Sequence, residues 1–327
     1  SLSEFDDLDE VLTEFHPSSY VSYEYNGNLY ALPETQTFLM MFVRNDILSE
    51  MGLKVPKTWD EFNIVLSELQ KNHMDVGISP GFSSDVNIFL SMVYQLGGSA
   101  YYEDGIRSAL DSEEAVKAFK LWTDFFTKYS ITNLNNDYTN RFINRFRNGE
   151  MPIGIADYTT FNTLAVFAPE LKGLWGFYPL PGFVDENGNI NSSSVSSGTG
   201  TMMLSASQKK QEAWKFMKWW VSTDIQTTYG REMESLLGSA ARYPTANMEA
   251  VANLSWTVSD YNSLLTQWES VVGVPQVPGG YFTSRHVSNA FWTVVSSGGD
   301  PRETLTDYVD IINKEIINKR KEFGLDY

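Results

Sequence analysis

Three histidines, His16, His73 and His286, are the imidazoles of this 327-residue chain, and they stand far apart in it. A zinc enzyme brings its ligands onto one helix face with spacings such as HExxH; none is present. The chain has no cysteine, which excludes thiolate nucleophiles, Cys-type zinc sites and disulfides. Asp185-Glu186-Asn187-Gly188-Asn189-Ile190 has the look of a calcium loop. Its glycine, however, is fourth rather than sixth, and no glutamate follows at the twelfth position. A hairpin turn at Asn187-Gly188 is the better reading, and no metal or cofactor is expected. The small-residue tract Ser192 to Thr201 lacks GxGxxG, GKS/T and GxSxG, so neither phosphate cradling nor a serine nucleophile is written in it. Glycoside hydrolysis would need two carboxylates about 5–10 Å apart across the scissile bond. The 41 acidic residues offer no pair with a special setting. Aromatic rings are the remaining resource, with 9 Trp, 17 Tyr and 20 Phe. Their flat apolar faces with polar edges match the C–H patch and hydroxyl rim of a pyranose. Most of these rings must also fill a core.

The chain that positions these groups is acidic, with a formal net charge of −17 and a pI near 4.6. Such a field repels phosphate backbones and anionic lipid, so nucleic-acid and membrane-surface roles are not expected. No apolar run approaches the roughly 18 residues of a membrane span. At roughly 150 residues per domain the length suggests two lobes.

Read in order, Ser1 to Phe15 is amphipathic at helical spacing. Tyr25-Asn26-Gly27-Asn28-Leu29-Tyr30 is a hairpin turn, its Asn-Gly suited to positive φ. Leu32 to Thr37 is polar and extended because Pro33 blocks helix there. Phe38 to Val43 is apolar throughout, the pattern of a strand buried on both faces. Thr58 and Glu61 form a capping box for the next helix. Met151 to Ala156 reads as a strand. Ser207 is expected to cap a helix, and Thr223 a short one ending at Tyr229. Asp300, Pro301 and Glu303 mark the start of the last helix. Strands alternating with helices give an α/β class. Leu32–Thr37 and 189–201 are the candidate crossings between lobes.

Several pieces in fixed order carry a resemblance. They are Gly27-Asn28-Leu29-Tyr30-Ala31-Leu32-Pro33, Arg44-Asn45-Asp46-Ile47-Leu48, Pro56-Lys57-Thr58-Trp59-Asp60-Glu61-Phe62, Phe146-Arg147-Asn148-Gly149-Glu150-Met151-Pro152, Gly176-Phe177-Tyr178-Pro179-Leu180-Pro181-Gly182 and Pro278-Gly279-Gly280-Tyr281-Phe282. Together the chain resembles the family 1 extracellular solute-binding proteins of bacterial ABC importers, a class that includes maltose-binding protein. The resemblance implies a periplasmic-binding-protein-like fold of two α/β lobes joined by a hinge, with ligand held between them. It places residues 1–36 and 198–245 in the first lobe and 37–197 and 246–327 in the second. Family members carry a further strand–helix–strand unit ahead of the GxxYxLP segment, whereas 24 residues precede Tyr25 here. The first lobe is therefore expected to be incomplete.

The implied function is capture of a carbohydrate and its delivery to a membrane permease. The protein would be monomeric and non-catalytic, and extracellular or periplasmic, with a lipid anchor on an upstream segment. The same fold binding a peptide or cation, a glycoside-active module and a docking module of a larger surface polypeptide stay open. By this resemblance Glu34, Thr35 and Thr37 sit at the first crossing, and Gly198 and Thr199 at the second. Asp157 and Tyr158 follow a strand where α/β sheets place ligand loops, and Tyr158 is the expected stacking ring. Tyr281 and Phe282 follow a glycine pair that lets aromatics reach a cleft. Phe82 and Tyr101 complete the expected set.

Overall fold

A computed structural model describes residues 1–80, 86–103, 105–134 and 138–326. Its organising element is the strand Leu39–Arg44, buried along its whole length. It forms the interior of a four-stranded sheet in the order Val76–Gly77, Ile153–Asp157, Leu39–Arg44, Trp175–Tyr178. Leu39–Arg44 runs antiparallel to both neighbours, with Met41 opposite Ile155 on one side and Tyr178 on the other. Val76–Gly77 pairs parallel to Ile153–Asp157.

Strand geometry sends successive side chains to opposite faces. Leu39, Met41 and Val43 enter a core with Trp59, Phe89, Trp122 and Phe291. Met40 and Phe42 enter another with Phe142, Tyr158, Phe177 and Trp268. An unbroken apolar run is what a strand needs to be covered twice. A third core gathers Leu2, Phe5, Leu29, Leu32, Trp214, Met217 and Val221 from the chain's beginning and from the helix Lys210–Val221. Here Phe5 stacks on Trp214 with ring centres 4.6 Å apart.

The local signals fold largely as written. The hairpin turn has Asn26 and Gly27 at φ of 49° and 70°. Thr58 Oγ1 accepts from Glu61 N–H at 3.2 Å, while Glu61 reaches back to Lys57 N–H at 2.7 Å, one residue before the expected partner. Asp300 caps Pro301–Glu322 through Glu303 N–H. Asp185 Oδ1 accepts from Asn187 N–H and Asn189 N–H, closing the hairpin between Phe183–Val184 and Ile190–Asn191.

Three segments differ. The first helix covers only Leu8–Leu12. Ser207 does not cap Lys210–Val221; the cap position is Lys209, whose N–H is taken by Ser207 Oγ. The helix expected to stop at Tyr229 runs Thr223–Leu237, straight through Gly230. Gly230 is buried against Leu254, where a Cβ would lie 2.7 Å from a methyl. That close contact keeps a glycine inside a helix despite its low propensity.

Candidate ligand-binding site

Three chain segments lie side by side where the third core meets the other two. The middle one, Glu34 to Thr37, is bonded on both edges. On one edge Glu34 N–H and Thr35 N–H both donate to Thr199 O, at 2.9 and 3.2 Å. Thr37 and Ser197 exchange N–H···O bonds of 2.7 and 2.8 Å. On the other edge Gln36 N–H donates to Pro244 O at 2.9 Å, and Ala246 N–H to Glu34 O at 3.0 Å. Thr35, Thr37, Gly198 and Thr199 thus belong to one narrow ribbon. Gly198 is required in it, since a Cβ there would stand 2.1 Å from Thr35 O.

Gln36, fully buried, ties the ribbon to its surroundings. Its Nε2 donates to Ser18 Oγ at 2.8 Å and Ser196 Oγ at 2.9 Å, and its Oε1 accepts from Trp268 Nε1 at 3.0 Å. Sequence reading placed Gln36 in the crossing but not in the site. Nothing in a lone glutamine signals that both of its amide N–H groups and its carbonyl oxygen will be bonded.

A cleft of about 470 Å³ opens at the Ser197 edge of the ribbon. Tyr23, Tyr101 and Tyr281 supply rings to its walls, and Ser196, Ser197 and Gly198 supply part of its polar surface. Asn87, Gln276, Thr283 and Ser284 add further neutral donors and acceptors. No charged side chain lines it among the described residues. Such a surface can hydrogen-bond a neutral polyol and pack on its C–H faces; it offers nothing to neutralise an ion. Tyr101 is fixed by a 2.9 Å bond to Thr283 Oγ1, and burial pushes its hydroxyl above the usual phenol range. Tyr281 is 73% exposed, with Arg285 over its ring at 5.7 Å and donating to its hydroxyl at 3.5 Å. Tyr23, Asn87 and the serines are cleft residues that sequence reading missed. The serine tract was their one visible trace.

Asp157 lines a neighbouring hollow of about 190 Å³, which shares Asn87 with the cleft. Its Oδ1 accepts from Thr159 N–H at 2.9 Å and Thr159 Oγ1 at 2.7 Å. Burial pushes its carboxyl above the usual range, against the hydrogen bonds from Thr159 and Thr37.

The remaining expected residues lie elsewhere. Tyr158 is 2% exposed and is a core ring, packed on Phe38 and Trp256, with its hydroxyl donating to Gln36 O at 3.1 Å. It has no free face on which a sugar could stack. Glu34 has donors on both oxygens already, Tyr243 Oη at 2.9 Å and Thr201 Oγ1 at 3.2 Å. Phe282 packs edge-on against Tyr281 and does not line the cleft. Phe82 lies outside the described residues.

This architecture, a mixed α/β fold with a polar cleft beside a three-segment ribbon, is that of a solute-binding protein. Residues 1–253 match the family model described as bacterial extracellular solute-binding protein, and the chain belongs to that family. Among solved structures it is similar to the sugar-binding protein MalE of Xanthomonas citri and to a neighbour from Thermotoga lettingae. For MalE the TM-score is 0.77 at 17% identity, over 100% of this chain and 80% of that one. The neighbour is a solute-binding protein of Thermotoga lettingae bound with α-D-tagatose, with a TM-score of 0.74 at 19% identity over 96% and 82% of the two chains. Maltose-bound MalE3 of T. maritima gives 0.73 at 21% identity over 95% and 80%. The fold is therefore periplasmic-binding-protein-like. No described helix is long and apolar enough to cross a membrane.

Proposed function

We propose that the protein is a non-catalytic receptor that captures a neutral carbohydrate in the cleft beside Ser197 and hands it to the permease of an ABC importer. The observation that carries the reading is the cleft lining, with three tyrosines among neutral hydroxyl and amide groups and no charge among the described residues. The sugars in the structures of similar fold support it: tagatose in one and maltose in another. In this reading 1–36 and 198–245 form one lobe and 37–197 and 246–327 the other, with the Glu34–Thr37 ribbon as the hinge between them. Ligand touching both lobes would favour the closed form, and the closed monomer would be what the permease recognises. Asp157 would reach the ligand from the adjoining hollow, with Thr37 hydrogen-bonded to its carboxyl. The test is thermal unfolding and Trp fluorescence against a panel of mono- and oligosaccharides. A raised melting temperature with a saturable fluorescence change is expected for at least one sugar. A panel without any response would refute the carbohydrate assignment.

A further inference from the structure

A second cavity, of about 650 Å³, lies at the other edge of the ribbon, where Arg242 leads into the Pro244–Ala246 segment. It is also on the other side of the central sheet. The cleft borders the core of Leu39, Met41 and Val43, against which Tyr101 and Val274 pack. The second cavity borders the core of Met40 and Phe42, against which Phe161 and Trp175 pack.

Its walls combine two features. Phe161 and Trp175 give it an aromatic side. Arg242 and Lys172 give it two cations. Arg242 is 8% exposed and held over the Trp256 ring at 4.3 Å. Its Nε and Nη2 bond to Glu234 at 3.3 and 2.6 Å, and Nη2 also to Ser255 O at 2.9 Å. Its Nη1 is buried without a partner among the described residues. A guanidinium carries five donors and cannot shed its charge, so an orphaned, desolvated N–H pair is costly unless an acceptor joins it. Trp256 Nε1 and Asn162 Oδ1 are unpartnered beside it, and Asn162 Nδ2 donates to Arg242 O at 3.2 Å. Lys172 is exposed at the rim. Among the described residues the one carboxylate in the lining is Asp260, which accepts from Thr257 Oγ1 at 2.6 Å and completes that helix start.

We infer that this cavity is a second ligand site, for a small carboxylate with an aromatic or alicyclic body. The carboxylate pairs with Lys172 and with Arg242 Nη1, the buried N–H pair that lacks an acceptor among the described residues. The ring system packs on Phe161 and Trp175. The volume lies within the range of small-molecule sites, and the site shares no lining residue with the cleft.

The probe is naphthalene-2-carboxylate, titrated calorimetrically into the full chain beside its neutral carboxamide. The acid is expected to bind, and the amide to bind roughly tenfold more weakly because charge-assisted bonds are the stronger ones. Two substitutions at exposed positions keep the fold and localise the signal. Lys172→Glu should weaken the acid roughly tenfold and leave the amide unchanged. Ala165→Trp, which fills the cavity from its wall, should remove both. Absence of acid binding, equal affinity for acid and amide, or acid affinity that survives either substitution overturns the assignment.

Discussion

Gly198 and Thr35 touch so closely that the two ribbon segments leave no room for a side chain between them: a Cβ on Gly198 would lie 2.1 Å from the Thr35 carbonyl oxygen. The obstacle is backbone, which cannot swing aside as a side chain would. Gly198→Ala must therefore push the 197–200 segment off the ribbon and disturb the Thr199 and Ser197 bonds around it. The expected cost is about 1–3 kcal/mol of stability, the usual scale for overpacking. Urea unfolding measures it; a variant as stable as the parent would show that the ribbon is looser than described.

Gln36 joins the same ribbon to both sides through Ser18, Ser196 and Trp268. Gln36→Leu keeps the volume and leaves buried donors and acceptors without partners, each worth roughly 1–3 kcal/mol. A loss of roughly 2–4 kcal/mol is expected on that basis. Gln36→Glu should also destabilise the fold at neutral pH, since it buries a charge whose partners are the neutral Ser18, Ser196 and Trp268.

Tyr158 and Tyr281 should separate stability from binding. Tyr158→Phe loses the hydroxyl bond to Gln36 O and should cost about 1 kcal/mol of stability without changing sugar affinity. Tyr281→Ala removes an exposed ring at the cleft. It should leave stability nearly unchanged and weaken sugar binding by about 1 kcal/mol, roughly fivefold in Kd. Paired unfolding and calorimetric measurements check both halves, and the opposite assignment of effects would reverse the roles given to these two rings.

Asp157 sets a pH dependence. Burial holds its carboxyl above the usual carboxylate range in the folded protein. The folded state then binds the proton more tightly than the unfolded chain does. Stability linked to this group is fully present below the unfolded value and is lost as pH rises through the folded one. Asp157→Asn removes that loss while Oδ1 can still accept from Thr159. The stability of the variant relative to the parent should therefore increase as pH rises from the ordinary carboxylate value through the raised folded one. A difference that stays flat over this interval would mean the carboxyl titrates normally.

How much of this could be read from the residues alone differs between fold and site. The buried strand Leu39–Arg44, the caps at Thr58 and Asp300 and the turn at Asn26-Gly27 are local patterns with local causes, and they fold accordingly. The helix through Gly230 was not legible, because Leu254 supplies the contact from far along the chain. The site was legible only in part. Tyr101, Gly198 and Tyr281 meet in one cleft. Tyr158 follows its strand as expected, yet the ring turns into the core because Phe38 and Trp256 wait there. Position relative to a strand end fixes where a residue sits, not which face its ring presents. Ser196, Ser197 and Asn87 escaped notice for the converse reason: small polar side chains gain meaning only when folding brings them to one wall.

Isothermal titration of the protein with neutral sugars, maltose and D-tagatose first, tests the central reading most directly. The account predicts saturable binding of at least one neutral sugar, weakened by Tyr281→Ala. A sugar at a hundred times its Kd should also stabilise the fold by about 2.7 kcal/mol. Binding of a polyamine or a charged peptide, with no heat from any neutral sugar, would contradict it.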